Sequence, residues 1–270
     1  MGRFNRFLMC LTLLASAGTL RAQQPSVTNP PTANPPAVDR VPPPSEKASA
    51  IELEEQADSY RMQKAYLDAI DYYRAALKKS NTAVLHNKAG ICFLLLLRDK
   101  EARKEFQHAM RLDKNYPEAY NNLGALYYNT KKYGPAISEY KKAIKLNDGN
   151  ASFHSNLGTA YFSEKNIDGA TREYSRAMQL DPGIFERQPS GGVAVKLVTS
   201  TDLARFHYLM AQMYGQSGNL ERCRYYLSKA NEEGYPIKDA LKDKEFADLS
   251  KDPNFITFVR SLKAPTEANQ

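Results

Sequence analysis

The chain has 270 residues, 42% hydrophobic and 25% charged, with 37 basic against 30 acidic side chains for a net charge of +7. Those proportions are ordinary for a folded protein and do not separate one globular core from the elongated core that a repeat array shares among its units. The basic excess is too mild to argue for a nucleic-acid partner, and none is expected.

In chain order, Arg3 and Arg6 precede an apolar run from Phe7 to Leu20, and Ala22-Gln23 follows a small-residue region that a signal peptidase could cut. Residues 1 to 22 therefore read as a signal peptide, which places the mature chain in the bacterial periplasm or outside the cell. The run is shorter than the roughly 20 residues needed to cross a bilayer, so a permanent anchor is the weaker alternative. Cys10 lacks the preceding small residues of a lipidated cysteine. Cleavage removes Arg3, Arg6 and Arg21 and no acidic residue, leaving 34 basic against 30 acidic side chains and a charge of +4. No stable membrane insertion is expected after it. Lys131, Lys132, Lys141, Lys142 and Lys145 read as a solvated helix face, with contact to an acidic envelope surface as the other reading.

Residues 23–46 hold eight prolines between Pro25 and Pro44, too little apolar content to bury and too much proline for helix or sheet, and form an extended spacer. The proline runs lack regularly spaced charges, which favours a spacer over a docking motif.

Beyond Ser45 the chain repeats itself. Gly90, Gly124 and Gly158 lie 34 residues apart, each followed three residues later by an aromatic: Phe93, Tyr127 or Tyr161. Twelve residues after each glycine stands Ala102, Ala136 or Ala170, then Phe106, Tyr140 or Tyr174, then Ala109, Ala143 or Ala177. An earlier copy carries Ala57, Tyr60, Ala69, Tyr73 and Ala76, and a later one Ala211, Tyr214, Cys223, Leu227 and Ala230. In each unit the small residue and the aromatic share one helical face, and a second helix carries its own small, aromatic, small set, so two amphipathic helices can pack closely. Gly134-Pro135 and Asn147-Asp148-Gly149-Asn150 fall where turns are needed.

This pattern, with Asn-Asn-Leu-Gly at 121–124, Ser-Asn-Leu-Gly at 155–158 and Leu-Asp-Pro at 180–182, resembles the tetratricopeptide repeat over most of residues 50–234. The resemblance implies an all-α, right-handed α-solenoid of about five helix hairpins: repeats one to four over 47–183, an insertion at 184–203 and repeat five over 204–234. In the insertion, Gly191-Gly192 and the alternating Val193, Val195 and Leu197 suit a short strand, a flap or a tucked loop equally. Residues 235–263 suit a helical cap with a helix starting at Asp252-Pro253 and Phe255, Val259 and Leu262 on one stripe. They resemble closing segments of bacterial repeat arrays, and 264–270 form a tail.

The mature chain keeps two cysteines, Cys92 and Cys223, about three repeats apart at roughly 10 Å per helix layer, which is beyond disulfide reach and reads as two buried small hydrophobes. His86, His154 and His207 each precede the small residue by four positions, where the third unit has Tyr120, and read as packing residues; His108 is solitary. Glu101, Glu105, Glu139 and Glu173 read as solvated surface of second helices. No metal, catalytic or phosphate-loop motif is present, so no catalytic residue, metal or cofactor is expected and an enzyme is the least favoured class. The sequon at Asn150-Ala151-Ser152 bears only on a eukaryotic secretory route.

In the resembled family, positions two, five, nine and twelve of each first helix line the concave groove. With the small residue as eighth, the groove is expected to comprise Asn87, Ile91, Leu94, Asn121, Ala125, Tyr128, Ser155, Thr159, Phe162, Tyr208 and Gln212. Leu94, Tyr128 and Phe162 form an apolar row beside amides, which suits a bound protein or peptide segment. Coverage of that row by an end segment, the insertion or another subunit is the competing reading. Glu54, Asp58 and Glu118 stand where a carboxylate-gripping subclass uses basic or amide side chains, so that frame does not fit. The expected function is thus an exported scaffold holding a protein segment, with a self-assembling envelope protein, its groove filled by its own chain or a sister subunit, as the alternative.

Overall fold

The computed structural model describes residues 41–185, 200–237 and 239–262. The signal peptide, most of the proline-rich spacer, the tail, and the insertion's Val193, Val195 and Leu197 lie outside the described residues.

Five hairpins follow one another: α1 (Ala50–Met62) with α2 (Tyr66–Lys79), α3 (Ala83–Leu95) with α4 (Asp99–Leu112), α5 (Pro117–Asn129) with α6 (Tyr133–Leu146), α7 (Ala151–Ser163) with α8 (Ile167–Leu180), and α9 (Ser200–Gln216) with α10 (Leu220–Glu232). No strand occurs among the described residues. Local chemistry sets several starts. Ser49 and Glu52 form a reciprocal capping box on α1, Thr82 and Asn150 cap α3 and α7, Asn166 and Asn219 cap α8 and α10, and Pro117 opens α5. Each supplies an acceptor for an orphan amide or lacks the amide altogether.

Every first helix ends in the same way. The second residue after the helix adopts a left-handed backbone at Lys64, Leu97, Lys131, Lys165 and Gly218. One residue later an amide closes back on the carbonyl of the repeat aromatic: Ala65 on Tyr60, Arg98 on Phe93, Lys132 on Tyr127, Asn166 on Tyr161 and Asn219 on Tyr214, at 2.8–2.9 Å. That six-residue closure reverses the chain and starts the second helix at a fixed angle.

The repeated small residues are where the helices of a hairpin touch. A methyl built on Gly90, Gly124 or Gly158 would stand 2.6–2.7 Å from the ring of Phe106, Tyr140 or Tyr174 on the second helix. Ala69, Ala76, Ala102, Ala109, Ala136, Ala143, Ala170 and Ala177 are all fully buried. Cys223 takes the same position in the fifth hairpin; burial pushes its thiol, like that of Cys92, up to about 12. Both thiols are free and enclosed.

Successive hairpins stack as α2 on α3, α4 on α5 and α6 on α7, whereas α8 barely meets α9. There aromatic rings bridge the two helices instead. Phe206 of α9 lies 6.3 Å from Phe162, 5.5 Å from Tyr174 and 6.0 Å from Phe185. After α10, three 3-10 turns lead to α11 (Pro253–Ser261), capped by Asp252. Phe246 and Phe255 of this segment are fully buried, and Phe246 and Leu249 rest on Gly215 of α9. At the other end, Val41 packs on the first core cluster, Tyr72 donates to the Pro42 carbonyl at 3.0 Å and Lys79 to the Glu46 carbonyl at 2.6 Å. Residues 41–46, expected to belong to the free spacer, are thus held against α2.

Candidate functional site

The stripe expected to form a groove contains a hydrogen-bonded ladder. The fifth residue of one first helix accepts from the sixth residue of the next: Asn122 Nδ2 donates to Asn87 Oδ1 at 2.9 Å, and Asn156 Nδ2 to Asn121 Oδ1 at 3.0 Å. At the first interface the same rung is ionic, with Lys88 Nζ 2.7 Å from Glu54 Oε1 and also bonded to Asp58. Burial opposes the charge of Asp58, but hydrogen bonds from Lys88 and Tyr73 outweigh it and hold the carboxyl below its ordinary range. In the fifth hairpin the partner is the chain's own closing segment. Tyr208 donates to Asp243, and Gln212 Nε2 reaches the same carboxylate at 3.1 Å.

In the first and fourth hairpins the ninth residue of the first helix accepts from the second-helix aromatic. Tyr73 Oη donates to Asp58 at 2.6 Å and Tyr174 Oη to Thr159 at 3.1 Å, while Phe106 shares a core cluster with the apolar Ile91. Ala125 offers no acceptor to Tyr140, whose hydroxyl is buried without a partner among the described residues. The twelfth residues reach the following hairpin: Tyr128 Oη lies 2.8 Å from Ser163 Oγ and Phe162 meets Phe206.

These contacts change the expected site. Asn87, Ile91, Leu94, Asn121, Ala125, Tyr128, Thr159, Phe162 and Tyr208 are buried, Leu94, Tyr128 and Phe162 at 3% exposure or less; only Ser155 and Gln212 are half-buried. The apolar row does not stand open on a surface, because its side chains close the joints between hairpins. What stays accessible on the stripe is the second position: Ile51 at 69% and Val84 at 41% exposure, Glu118 half-buried, and Ser152 and Arg205 exposed. Sequence reasoning placed position two on the stripe and named Glu118, but did not include Ile51, Val84, Ser152 or Arg205 in the site, nor Lys88, Asn122, Asn156 and Asp243. The ladder signal was present in the sequence as Asn-Asn at 121–122, but a register alone does not say which neighbour an amide meets. Where α8 and α9 part, a cleft of about 590 Å³ opens, lined among others by Arg172, Arg176, Gln179, Leu209, Gln212 and Glu245.

Two readings of the titratable residues also change. His86, His154 and His207 do sit between helices, but each directs Nδ1 to a glutamate: Glu105 at 2.6 Å, Glu173 at 2.7 Å and Glu233 at 2.7 Å. Glu105 and Glu173 are therefore partners of buried or half-buried rings and not simply solvated surface. His108 is not solitary, since its ring centre lies 5.0 Å from that of His86. Burial, then Arg111 and His86, lower its basicity.

A family model described as a TPR repeat matches residues 98–131 and 127–163. Comparison with curated proteins finds no match. Among solved structures, a crystal structure of MamA shares 22% identity over 66% of this chain and 93% of its own, with a TM-score of 0.46. PilF of Pseudomonas aeruginosa shares 20% over 76% and 82%, with a TM-score of 0.49. YrrB, described as a TPR protein with an unusual peptide-binding site, shares 20% over 75% and 92%, with a TM-score of 0.45. Residues 98–163 thus match the tetratricopeptide-repeat model, and the same 34-residue register builds helix hairpins on both sides of that match.

Proposed function

We propose that this tetratricopeptide-repeat scaffold is exported and holds a segment of another protein along its first-helix stripe. The fold is generally a non-catalytic interaction scaffold, and export rests on the basic and apolar pattern of residues 1–22. The observation that carries the binding surface is the exposed row at the second positions, which passes from apolar Ile51 and Val84 through Glu118 and Ser152 to Arg205. Beneath it the buried amides are already bonded to one another, so a partner need not satisfy them and affinity comes from the row itself. An apolar anchor over Ile51 and Val84 with polar contacts further along suits that gradient. YrrB, a TPR protein with a peptide-binding site, supports the class of partner.

The test compares the full chain with an Ile51→Glu, Val84→Glu double variant of equal helicity as baits for the envelope proteins of its own cells. A protein retained by the parent and lost by the variant is the expected result, alongside a mature chain beginning at Gln23. Identical recovery by both baits counts against the stripe, and a chain retained in the cytosol with its first residues intact counts against export.

A second reading is a self-assembling envelope protein whose groove is filled by its own chain or a sister subunit; the seat of Asp243 on Tyr208 and Gln212 supports the filling of one end by the chain itself. Light scattering after size exclusion separates the two, a monomer being incompatible with assembly.

A further inference from the structure

The second and fourth hairpins carry the same histidine–glutamate pair, His86 with Glu105 and His154 with Glu173, but the second adds something the fourth lacks. His108 stands one turn after Glu105 on α4 and packs edge-on against His86 of α3. The donor atoms of His86, Glu105 and His108 all lie within 4.8 Å of one another. In the fourth hairpin, which has His154 and Glu173, the 34-residue register puts Arg176 in the place of His108. The repeat thus supplies its own comparison: one shared pair, completed by an imidazole in one hairpin and by a cation in the other.

We propose that His86, Glu105 and His108 bind a divalent first-row transition ion of the zinc class. Two imidazoles and a carboxylate are a ligand set for such ions, whereas the hard ions magnesium and calcium prefer oxygen donors throughout. The ring of His86 is oriented for the task. Its Nε2 lies 2.8 Å from Asn81 Oδ1, so a hydrogen bond there holds the proton on Nε2 and leaves Nδ1, the nitrogen facing Glu105, to the metal. An outer partner of this kind fixes tautomer and ring direction at metal-bound histidines. Metal–ligand bonds of about 2.0–2.2 Å put donor atoms roughly 3.3 Å apart in a tetrahedron. The 2.6 Å contact of His86 with Glu105 therefore opens slightly as the ion comes between them. Glu105 and His108 are only half-buried, which leaves the fourth position open to water or to a side chain of a bound partner. Arg111 and Lys104 act on His108 from nearby and repel a cation, so the site selects by imidazole ligation and not by charge.

The experiment uses the full chain without an affinity tag, stripped with chelator and titrated with Co2+ and then Zn2+. The expected result is a single ion per chain, with a visible tetrahedral Co2+ spectrum that Zn2+ abolishes. His108→Arg, which copies the fourth hairpin, loses the spectrum while its helical circular dichroism matches the parent, and Glu105→Gln weakens binding in the same direction. Asn81→Ala lowers affinity by roughly ten- to a hundredfold. His154→Ala leaves binding unchanged. The proposal is overturned if the parent gives no Co2+ spectrum, if His108→Arg keeps it, or if His154→Ala loses it to the same extent.

Discussion

Whether a buried tyrosine of a second helix has a hydrogen bond depends on one residue of the first helix facing it. Tyr73 finds Asp58 and Tyr174 finds Thr159, but Tyr140 faces Ala125 and its hydroxyl is enclosed with no partner among the described residues, its ionisation pushed well above the usual value by burial. A buried hydroxyl without a partner costs stability, and one with a partner adds a modest net gain. Tyr140→Phe is therefore expected to leave stability unchanged or raise it by up to about 1 kcal/mol, while Tyr174→Phe lowers it by about 1 kcal/mol. Urea midpoints at constant slope measure both. A loss for Tyr140→Phe as large as that for Tyr174→Phe would mean that the hydroxyl is bonded after all. The same residue-by-residue logic separates the three histidines: their register was visible in the sequence, but their glutamate partners come from the other helix of the hairpin and were not.

Among elements, the turn between the two helices of each hairpin is the most uniform part of the molecule, and its demand is conformational. It needs a residue at positive φ, and the fifth hairpin meets the need with Gly218, while Lys64, Leu97, Lys131 and Lys165 adopt it with a side chain. A side chain there costs roughly 1 kcal/mol through its Cβ. Leu97, with φ of 58°, is also 82% exposed and gives up little packing when removed. Leu97→Gly is expected to stabilise the chain by about 0.5–1 kcal/mol, read as a higher thermal midpoint. A lower midpoint would show that Leu97 makes contacts that outweigh its backbone strain. The hairpins were legible because they depend on residues close in sequence, small residues at the crossing and an aromatic one turn on; the turns were less so, since Lys or Leu takes the positive φ in four of the five.

Across the whole molecule, the weak place is the joint between the fourth and fifth hairpins. Elsewhere the second helix of one hairpin lies along the first helix of the next, but α8 and α9 scarcely touch, and Phe206 with Phe162, Tyr174 and Phe185 carries the connection. In a repeat array stability is close to a sum of units and of interfaces between neighbours. Phe206→Ala removes most of one such interface and is expected to cost about 3 kcal/mol. Hydrogen exchange should then speed up in α9, α10 and α11 while α1 to α6 keep their protection. Equal acceleration everywhere would show that the array unfolds as one unit despite the break.

The sequence by itself determined that this is an all-α array of five hairpins with an interruption before the last, because a 34-residue period fixes which faces of which helices are apolar, and burial of those faces leaves no other fold class. Which residues of the first-helix stripe are open was decided only by the tertiary structure. A side chain such as Leu94, Tyr128 or Phe162 has the same chemistry whether it lines a groove or closes a joint, and only the distance to the next hairpin distinguishes the two. The same holds for the ladder from Asn87 to Asn156, for Asp243 seated on Tyr208, and for His108 beside His86: each pairs atoms from different helices, and a register along one helix carries no information about the distance to another.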